Sequence, residues 1–393
     1  VPAGEIDAMS EWDATTDLLV VGSGAGAMTA ALAARREGLD SLVVEKTEFY
    51  GGSTALSGGG LWVPNNPLMA AEGLSDSLEQ ASAYMDATVG DRVSAARKQA
   101  YLTKAPEMVE YMLAHSRLRL EVSRGYTDYY PDRPGAMTGG RCLDSSIFPG
   151  RRLGPLFCEL RPRPFKVPLR MVFTGAEVKD LFLFGRGMRS VLVGIRVFLR
   201  TAWSFASRSK LLNMGQALTA PLRLSLHELG VPVWLNTDVE ELIVRDGRVV
   251  GVAAQKEGKP IRIRATKAVV LAAGGFARNQ EMREKYQAAP ISTEWTSASP
   301  GNTGVAIRMG LEIGAAVDLM DEAWWGPTSL PPGEAPFFHV VERSCPGSIM
   351  VDAAGMRFTN EAASYIDEVH AMYAHNRAEA ASIPAHFVFD QRF

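Results

Sequence analysis

Residues 17–46 read DLLVVGSGAGAMTAALAARREGLDSLVVEK, and their spacing decides the fold. Residues 18–21 are a short, β-branched apolar run, the mark of a buried strand. Gly22 lets the backbone turn sharply and Gly24 lets it approach a diphosphate. Ala27 stands where a third glycine or alanine permits close helix–strand packing. Residues 26–37 then predict a helix whose N-terminus, with free N–H groups and partial positive charge, faces the phosphates. A second strand, residues 41–44, ends in Glu45, placed to accept hydrogen bonds from ribose hydroxyls. Strand, glycine turn, helix, strand and acid within thirty residues go beyond a glycine-rich turn in an ordinary βαβ unit. Gly22, Ser23, Gly24, Ala25, Ala27, Glu45 and Lys46 are the candidate contacts to a dinucleotide.

The following stretch, FYGGSTALSGGGLWVPNN at 49–66, favours FAD over NAD. Gly51, Gly52, Ser53, Thr54, Ser57, Gly58, Gly59 and Gly60 leave backbone amides free to press against a long, flat, polar cofactor. A nicotinamide enzyme has no need of a second cofactor loop directly after the ribose acid. A flexible linker would not carry Leu56, Leu61, Trp62 and Val63. No histidine or cysteine lies in the loop, so the flavin is expected to be held noncovalently.

These two runs together resemble the flavoprotein family of fumarate reductases and 3-ketosteroid dehydrogenases, most closely its steroid branch. NTDVEELIVRD (236–246), AVVLAAGGFARN (268–279), DLMDEAWW (318–325) and VDAAGMRFTNE (351–361) extend the resemblance over nearly the whole chain, apart from a divergent middle. It implies an α/β fold: a Rossmann-like FAD-binding domain with an inserted α+β substrate domain. By the same resemblance Val239 lies beside the adenine, and Ala273 and Gly274 pass near the cofactor.

The resemblance implies oxidation of a 3-ketosteroid. A base removes the proton α to the carbonyl, flavin N5 takes hydride from the adjacent carbon, and donors steady the enolate oxygen. Tyr365 in FTNEAASYIDE matches the family's general base. Tyr129 in GYTDYYPDRPG matches its assistant, with Tyr130 one register away. A further tyrosine and a glycine amide that hold the 3-keto oxygen belong, in the family, to a segment beyond HFVFDQRF, where this sequence ends. The expected product carries a C1–C2 double bond. A Δ4-dehydrogenase on the same fold and a non-catalytic FAD-binding piece are the rivals. Fumarate-type relatives clamp a dicarboxylate with arginine and histidine; Arg357 in MRFTNE is common to both branches. The reduced flavin would pass electrons to an external, quinone-like acceptor.

The chain has 393 residues, 47% of them hydrophobic, enough for a large core and two domains. Residues 9–286 are expected to bind FAD and 287–393 the substrate. Residues 1–8 read as an addition before a natural start at Met9. A net charge of −3 gives no reason to expect nucleic acid. Cys142, Cys158 and Cys345 have no metal or disulfide spacing and read as reduced thiols of a cytoplasmic protein. The six histidines form no metal-ligand pattern. Residues 76–118 read as amphipathic helix, 119–180 as loop, 215–229 as helix. Residues 231–235, 239–244, 249–254 and 268–272 read as strands, with a hairpin at Asp246-Gly247.

Residues 181–210, LFLFGRGMRSVLVGIRVFLRTAWSFASRSK, contain no acid. Arg189, Arg196 and Arg200 fall on one helical face and apolar side chains cover much of the rest. The arginines argue against a membrane span. Two readings remain. An interfacial helix would dock on the inner face of the cell membrane, with arginines on anionic headgroups. The alternative is a core or oligomer-contact helix with snorkelling arginines.

Overall fold

A computed structural model describes residues 12–163 and 171–390; residues 1–8, expected to precede a start at Met9, lie outside them. The strand expected at 18–21 is the end of β1 (Ala14–Val21), followed by α1 (Ala25–Arg36) and β2 (Ser41–Val44). Beside them lie β3 (Val233–Trp234) and a meander of β4 (Thr237–Arg245), β5 (Arg248–Lys256) and β6 (Lys259–Leu271). They form one six-stranded sheet in the order β3-β2-β1-β6-β5-β4. The first four strands are parallel and the last two pairings antiparallel.

The apolar run of β1 has no polar alternation because both sheet faces are covered. Val20 packs with Ala27, Met28, Ala31 and Leu32 of α1 and with Leu218, Leu222 and Leu226 of α6 (Met214–Glu228). Leu19 and Val21 point the other way, into a cluster with Val44, Val239, Val252, Ile263 and Met309. Helix α6 is buried on every side from Ala217 to Leu226; its few polar side chains there find partners, Thr219 and Ser225 in the Gly215 and Pro221 carbonyls and Arg223 in Glu159 at 3.5 Å.

The register places the cofactor end. Val21 pairs with Val44 on one side and Leu271 on the other, so β1, β2 and β6 finish level. Gly22, Glu45 and Ala272 follow them directly, at the carboxyl edge where α/β sheets bind ligands. Gly22 has φ 109° and would drive a Cβ into the Ala272 carbonyl.

Some expectations change. Residues 76–118 form two helices, α2 (Leu78–Val89) and α3 (Ala95–His115), capped by the hydroxyls of Ser77 and Ser94. The stretch expected as loop contains strands Leu120–Val122 and Cys142–Ser145, paired with each other and with Leu61–Trp62. Strands of two to four residues are too short to declare a period. β6 begins at Lys259, nine residues before the strand expected at 268; Ile261, Ile263 and Ala265 alternating with Arg262 and Arg264 carried that signal. Both hairpin turns, Asp246-Gly247 and Glu257-Gly258, have positive φ at both residues, the primed geometry that matches strand twist.

The chain divides into two compact units. One contains the sheet and comprises residues up to Glu177, Ile195–Gly275 and Ser299–Ala316; the other comprises Val178–Gly194, Phe276–Ala298 and Val317–Phe393. Helices α4 (Gly175–Phe182) and α5 (Met188–Ala206) cross their boundary, and α8 (Val305–Glu312) lies against the sheet. The second unit holds α7 (Gln280–Tyr286), α9 (Tyr365–His375), the antiparallel pair of β7 (Ser348–Val351) with β8 (His386–Phe389), and the pair Thr328–Ser329 with Phe337–Phe338.

Two glycines of the fingerprint are expected to behave oppositely. Gly26 is helical and nothing lies within 4 Å of a Cβ placed there. Gly26→Ala should raise stability by about 0.5–1 kcal/mol, whereas Gly22→Ala should lower it by about 1–3 kcal/mol or more. Urea titration reads both; equal midpoints for the two variants would refute the packing argument.

Candidate functional site

Three backbone turns converge at the carboxyl edge of the sheet. The N-terminus of α1 has Gly24 as its cap, no capping side chain and no acid in its first turn. Its amides are therefore suited to an anion. The Ala25 N–H reaches Thr54 Oγ1 at 3.2 Å. A Cβ on Gly52 would lie 3.8 Å from Gly24 Cα, so the second glycine loop faces the first. Gly59 (φ 76°) crosses the start of α6, where a Cβ would strike the Met214 carbonyl carbon at 2.5 Å. Ser57 Oγ donates to the Thr54 carbonyl at 2.8 Å and accepts from the Gly59 N–H at 3.1 Å.

Glu45 is buried, and both its oxygens are engaged. Ser23 Oγ donates to Oε2 at 2.5 Å, while the Thr47 N–H and hydroxyl donate to Oε1 at 3.0 and 2.7 Å. Ser23 in turn accepts from the Gly51 N–H at 3.0 Å, which ties the fingerprint turn to the second loop. Lys46 forms an ion pair with Asp238 at 3.2 Å and also approaches Thr303 Oγ1 at 3.4 Å. Ser53 Oγ accepts from the Ser299 N–H and the Asn302 amide at 3.0 and 3.1 Å. Gly274 leaves no room for a side chain against Asn302 Oδ1. Val239 is buried in β4, and Ala273 packs against the cluster that contains it. Gly58 and Gly60 are exposed at the loop's tip.

Thr47, Arg161, Ser299 and Asn302 join this site without having been singled out in the sequence. Arg161 donates to Thr47 Oγ1 at 2.5 Å and to the Phe49 carbonyl at 3.2 Å. Its Nε is buried without a partner among the described residues, and burial pulls the guanidinium below its ordinary value. Arg161 lies 114 positions from Thr47, and Ser299 and Asn302 lie 246 and 249 positions from Ser53. The helix N-terminus without an acid in its first turn, the two facing glycine turns and a buried acid behind them fit an adenine dinucleotide.

The two candidate tyrosines lie in different units. Tyr129 is half-exposed, and its hydroxyl accepts from that of Tyr126 at 3.3 Å. Tyr130 is covered by Arg133, 4.3 Å from its ring centre. Asp128 anchors their loop by accepting from Trp62 Nε1 at 2.7 Å, the Met137 N–H at 2.9 Å and Arg141 Nη1 at 2.8 Å. Arg141 is wholly buried and also grips Asp76 through two bonds of 2.8 Å. Burial would loosen its proton, but Asp76 and Asp128 outweigh burial and hold the group above its ordinary value.

Tyr365 is buried at the first position of α9, with Ser364 as the cap residue. Trp324 Nε1 donates to its phenol oxygen at 2.6 Å, and the Phe338 ring meets it edge-on at 5.5 Å. Trp324 itself is 78% exposed, while Trp325 is buried. Arg357, shared with the fumarate branch, is held by Glu361 at 2.6 Å.

Helix α5 corrects one expectation. The three arginines assigned to lipid headgroups are met by acids just outside the acid-free stretch. Glu177 pairs with Arg200 at 2.7 Å and Arg196 at 3.5 Å, and Asp180 pairs with Arg189 at 3.2 Å. Glu177 is buried, yet the Arg200 bonds hold its carboxyl below the ordinary range. Met188, Leu192, Ile195, Phe198, Leu199 and Trp203 remain exposed. Among the described residues no helix is long and apolar enough to cross a membrane.

The family described as FAD binding domain matches residues 17–392. A 3-oxosteroid 1-dehydrogenase from Mycolicibacterium smegmatis is 44% identical over 386 residues, covering 96% of this chain and 68% of that protein. A solved 3-ketosteroid Δ1-dehydrogenase from Sterolibacterium denitrificans, in complex with 1,4-androstadiene-3,17-dione, superposes with a TM-score of 0.90 at 39% identity, over 96% of this chain and 69% of that one. A 3-ketosteroid-Δ4-(5α)-dehydrogenase from Rhodococcus jostii, at 23% identity and a TM-score of 0.63 over 93% of this chain and 65% of that one, shares the fold.

The Glu45 arrangement gives a direct test. A charge-assisted hydrogen bond contributes about 1.5–3 kcal/mol, so Glu45→Ala should weaken dinucleotide affinity roughly ten- to hundredfold. Quenching of flavin fluorescence on titrating apoprotein reads this; an unchanged dissociation constant would remove Glu45 from the site.

Proposed function

The chain belongs to the FAD-dependent 3-oxosteroid 1-dehydrogenases, and on that premise we propose how its residues oxidise a 3-ketosteroid across C1–C2. The observation that carries this reading is Tyr365, a buried phenol at a helix N-terminus with an indole N–H on its oxygen. The sheet-bearing unit, Ser299–Ala316 included, would hold the cofactor, and the unit that contains Val317–Phe393 the substrate. Gly22, Ser23, Gly24, Ala25 and Ala27 would cradle the diphosphate, and Glu45, with Lys46 behind it, the ribose. Gly51, Gly52, Ser53, Thr54, Ser57, Gly58, Gly59 and Gly60 would lie along the flavin portion, with Val239, Ala273 and Gly274 at its flank.

When bound, FAD supplies the hydride acceptor. The chain's own task is the proton. An α-proton of a 3-ketone is acidic only while charge on the carbonyl oxygen is stabilised, so base and donors must act together. Tyr365 as its phenolate takes the C2 proton; Trp324 N–H lowers the cost of keeping that oxygen anionic. Tyr129, whose hydroxyl accepts from Tyr126, is assigned the assisting role by its match to the family's motif. The aromatic faces of Phe338 and Trp324 suit a flat, apolar ring system. Removal of the proton and departure of hydride from C1 leave the C1–C2 double bond.

Tyr365→Phe should reduce steroid-dependent flavin bleaching by about 10²–10⁴-fold with flavin absorbance retained. Near-normal bleaching would refute its role as base. Mass analysis of the product separates C1–C2 from C4–C5 oxidation.

Substrate and quinone-like electron acceptor are both lipid-soluble, and residues 181–210 suit the cytoplasmic face of a bilayer. With Arg196 and Arg200 tied to Glu177, the contact is made by the apolar flank of α5, while Arg186, Arg208 and Lys210 flank it for anionic headgroups. Phe198→Asp with Leu199→Asp should abolish co-sedimentation with anionic phospholipid vesicles and leave bleaching by a soluble steroid intact. Undiminished sedimentation would exclude this face.

A further inference from the structure

Against the Tyr365 ring lies a buried charge pair that proton abstraction, as derived above, leaves unused. Arg343, from the turn Glu342–Ser344, places its guanidinium carbon 5.8 Å from the ring centre. Its Nη1 donates to Glu368 Oε2 at 2.7 Å and to the Glu361 carbonyl at 2.6 Å. Glu368 is fully buried and stands three positions after Tyr365 on α9, on the same side of the helix. Arg343 Nε and Glu368 Oε1 are both buried without a partner among the described residues. A pair kept only for stability would be expected to satisfy these atoms, because each costs desolvation energy. This one leaves a guanidinium facing a phenol, with a half-satisfied carboxylate behind it.

We propose that Arg343 and Glu368 are positioning residues for Tyr365: the balance of their charges sets the pH at which its phenol becomes the base. The proposal rests on the reading of Tyr365 given above. Arg343 keeps its charge throughout the working range and favours the phenolate. The Glu368 carboxylate opposes it. Burial pushes the Glu368 carboxyl up to about 7, against the pull of Arg343, with Glu361 pushing the same way as burial and His339 opposing. The pair is therefore neutral above that pH and a net cation below it. The surrounding charges are themselves committed. Glu361 is held by Arg357 at 2.6 Å and by the Met350 N–H at 2.7 Å, and His339 pairs with Glu342 at 2.8 Å. On α9 itself, His370 pairs with Glu322 at 3.1 Å.

The test uses the full natural polypeptide with flavin bound. Anaerobic flavin reduction by a 3-keto-4-ene steroid is followed in single turnover across pH, and the rising limb reports ionisation of the base. Glu368→Gln retains volume and the Arg343–Glu361 contact while removing the opposing charge. It should move the limb to lower pH by about one unit, the scale of a neighbouring charge at this range. Arg343→Gln in the Glu368→Gln background should move it back to higher pH by a similar amount. Opposite displacements from two uncharged replacements are not what a general loosening of the fold produces. Tyrosine-labelled NMR of the resting holoenzyme, with the Tyr365 signal assigned by its loss in Tyr365→Phe, should show the same ordering. If the double variant does not fold, Glu368→Gln decides alone. A limb and a resonance that titrate as in the parent overturn the proposal while Tyr365→Phe remains inactive. An active Tyr365→Phe overturns the underlying reading instead.

Discussion

The structure depends on one close approach. Gly22 passes so near the Ala272 carbonyl that no side chain fits between them. This is possible because β1, β2 and β6 end level, with the Gly22 N–H on the Val44 carbonyl and the Ala272 N–H on the Val21 carbonyl, both at 2.8 Å. The sheet is therefore closed at its carboxyl edge by backbone alone. The helix that follows starts directly above that edge, and its cap residue, Gly24, brings no side chain to its amides. The buried Glu45, fastened by Ser23 and Thr47, sits on the same edge. Binding geometry here follows from strand register, and strand register follows from uninterrupted apolar runs covered on both faces.

Elsewhere the molecule spends buried charge to fix loops. Arg141 joins Asp76 and Asp128 where water cannot reach, and that junction holds the segment carrying Tyr126, Tyr129 and Tyr130. Each of the three nitrogens of this arginine donates to a carboxylate. Loss of any one member would strand the others in a dry interior, which is far costlier than losing a surface pair. The Arg343–Glu368 pair has the same ingredients but is left incompletely satisfied, and it lies against the phenol rather than under a loop.

The sheet-forming half of the site was legible because its physics is local. Gly22, Gly24, Ala27 and Glu45 carry their meaning in spacing, and the strand expected at 41–44 is found at Ser41–Val44. The hairpin at Asp246-Gly247 was equally plain, since few residue pairs tolerate positive φ twice. What stayed hidden was long-range. Nothing in DLMDEAWW announces that Trp324 reaches Tyr365, forty-one positions away. The acid-free run 181–210 carries no partners for its own arginines; Glu177 and Asp180, which meet them, stand just before its start. Short strands such as Leu61–Trp62 depend on neighbours for their existence and leave no period to read.

The indole of Trp324 is largely open to solvent, yet its nitrogen is bound to the Tyr365 oxygen. A tryptophan emits according to its surroundings, and a phenolate beside it accepts excited-state energy and charge in ways a neutral phenol does not. The enzyme thus carries its own optical gauge of the protonation state of one phenol, readable without label or substrate once the signals of the other indoles are subtracted.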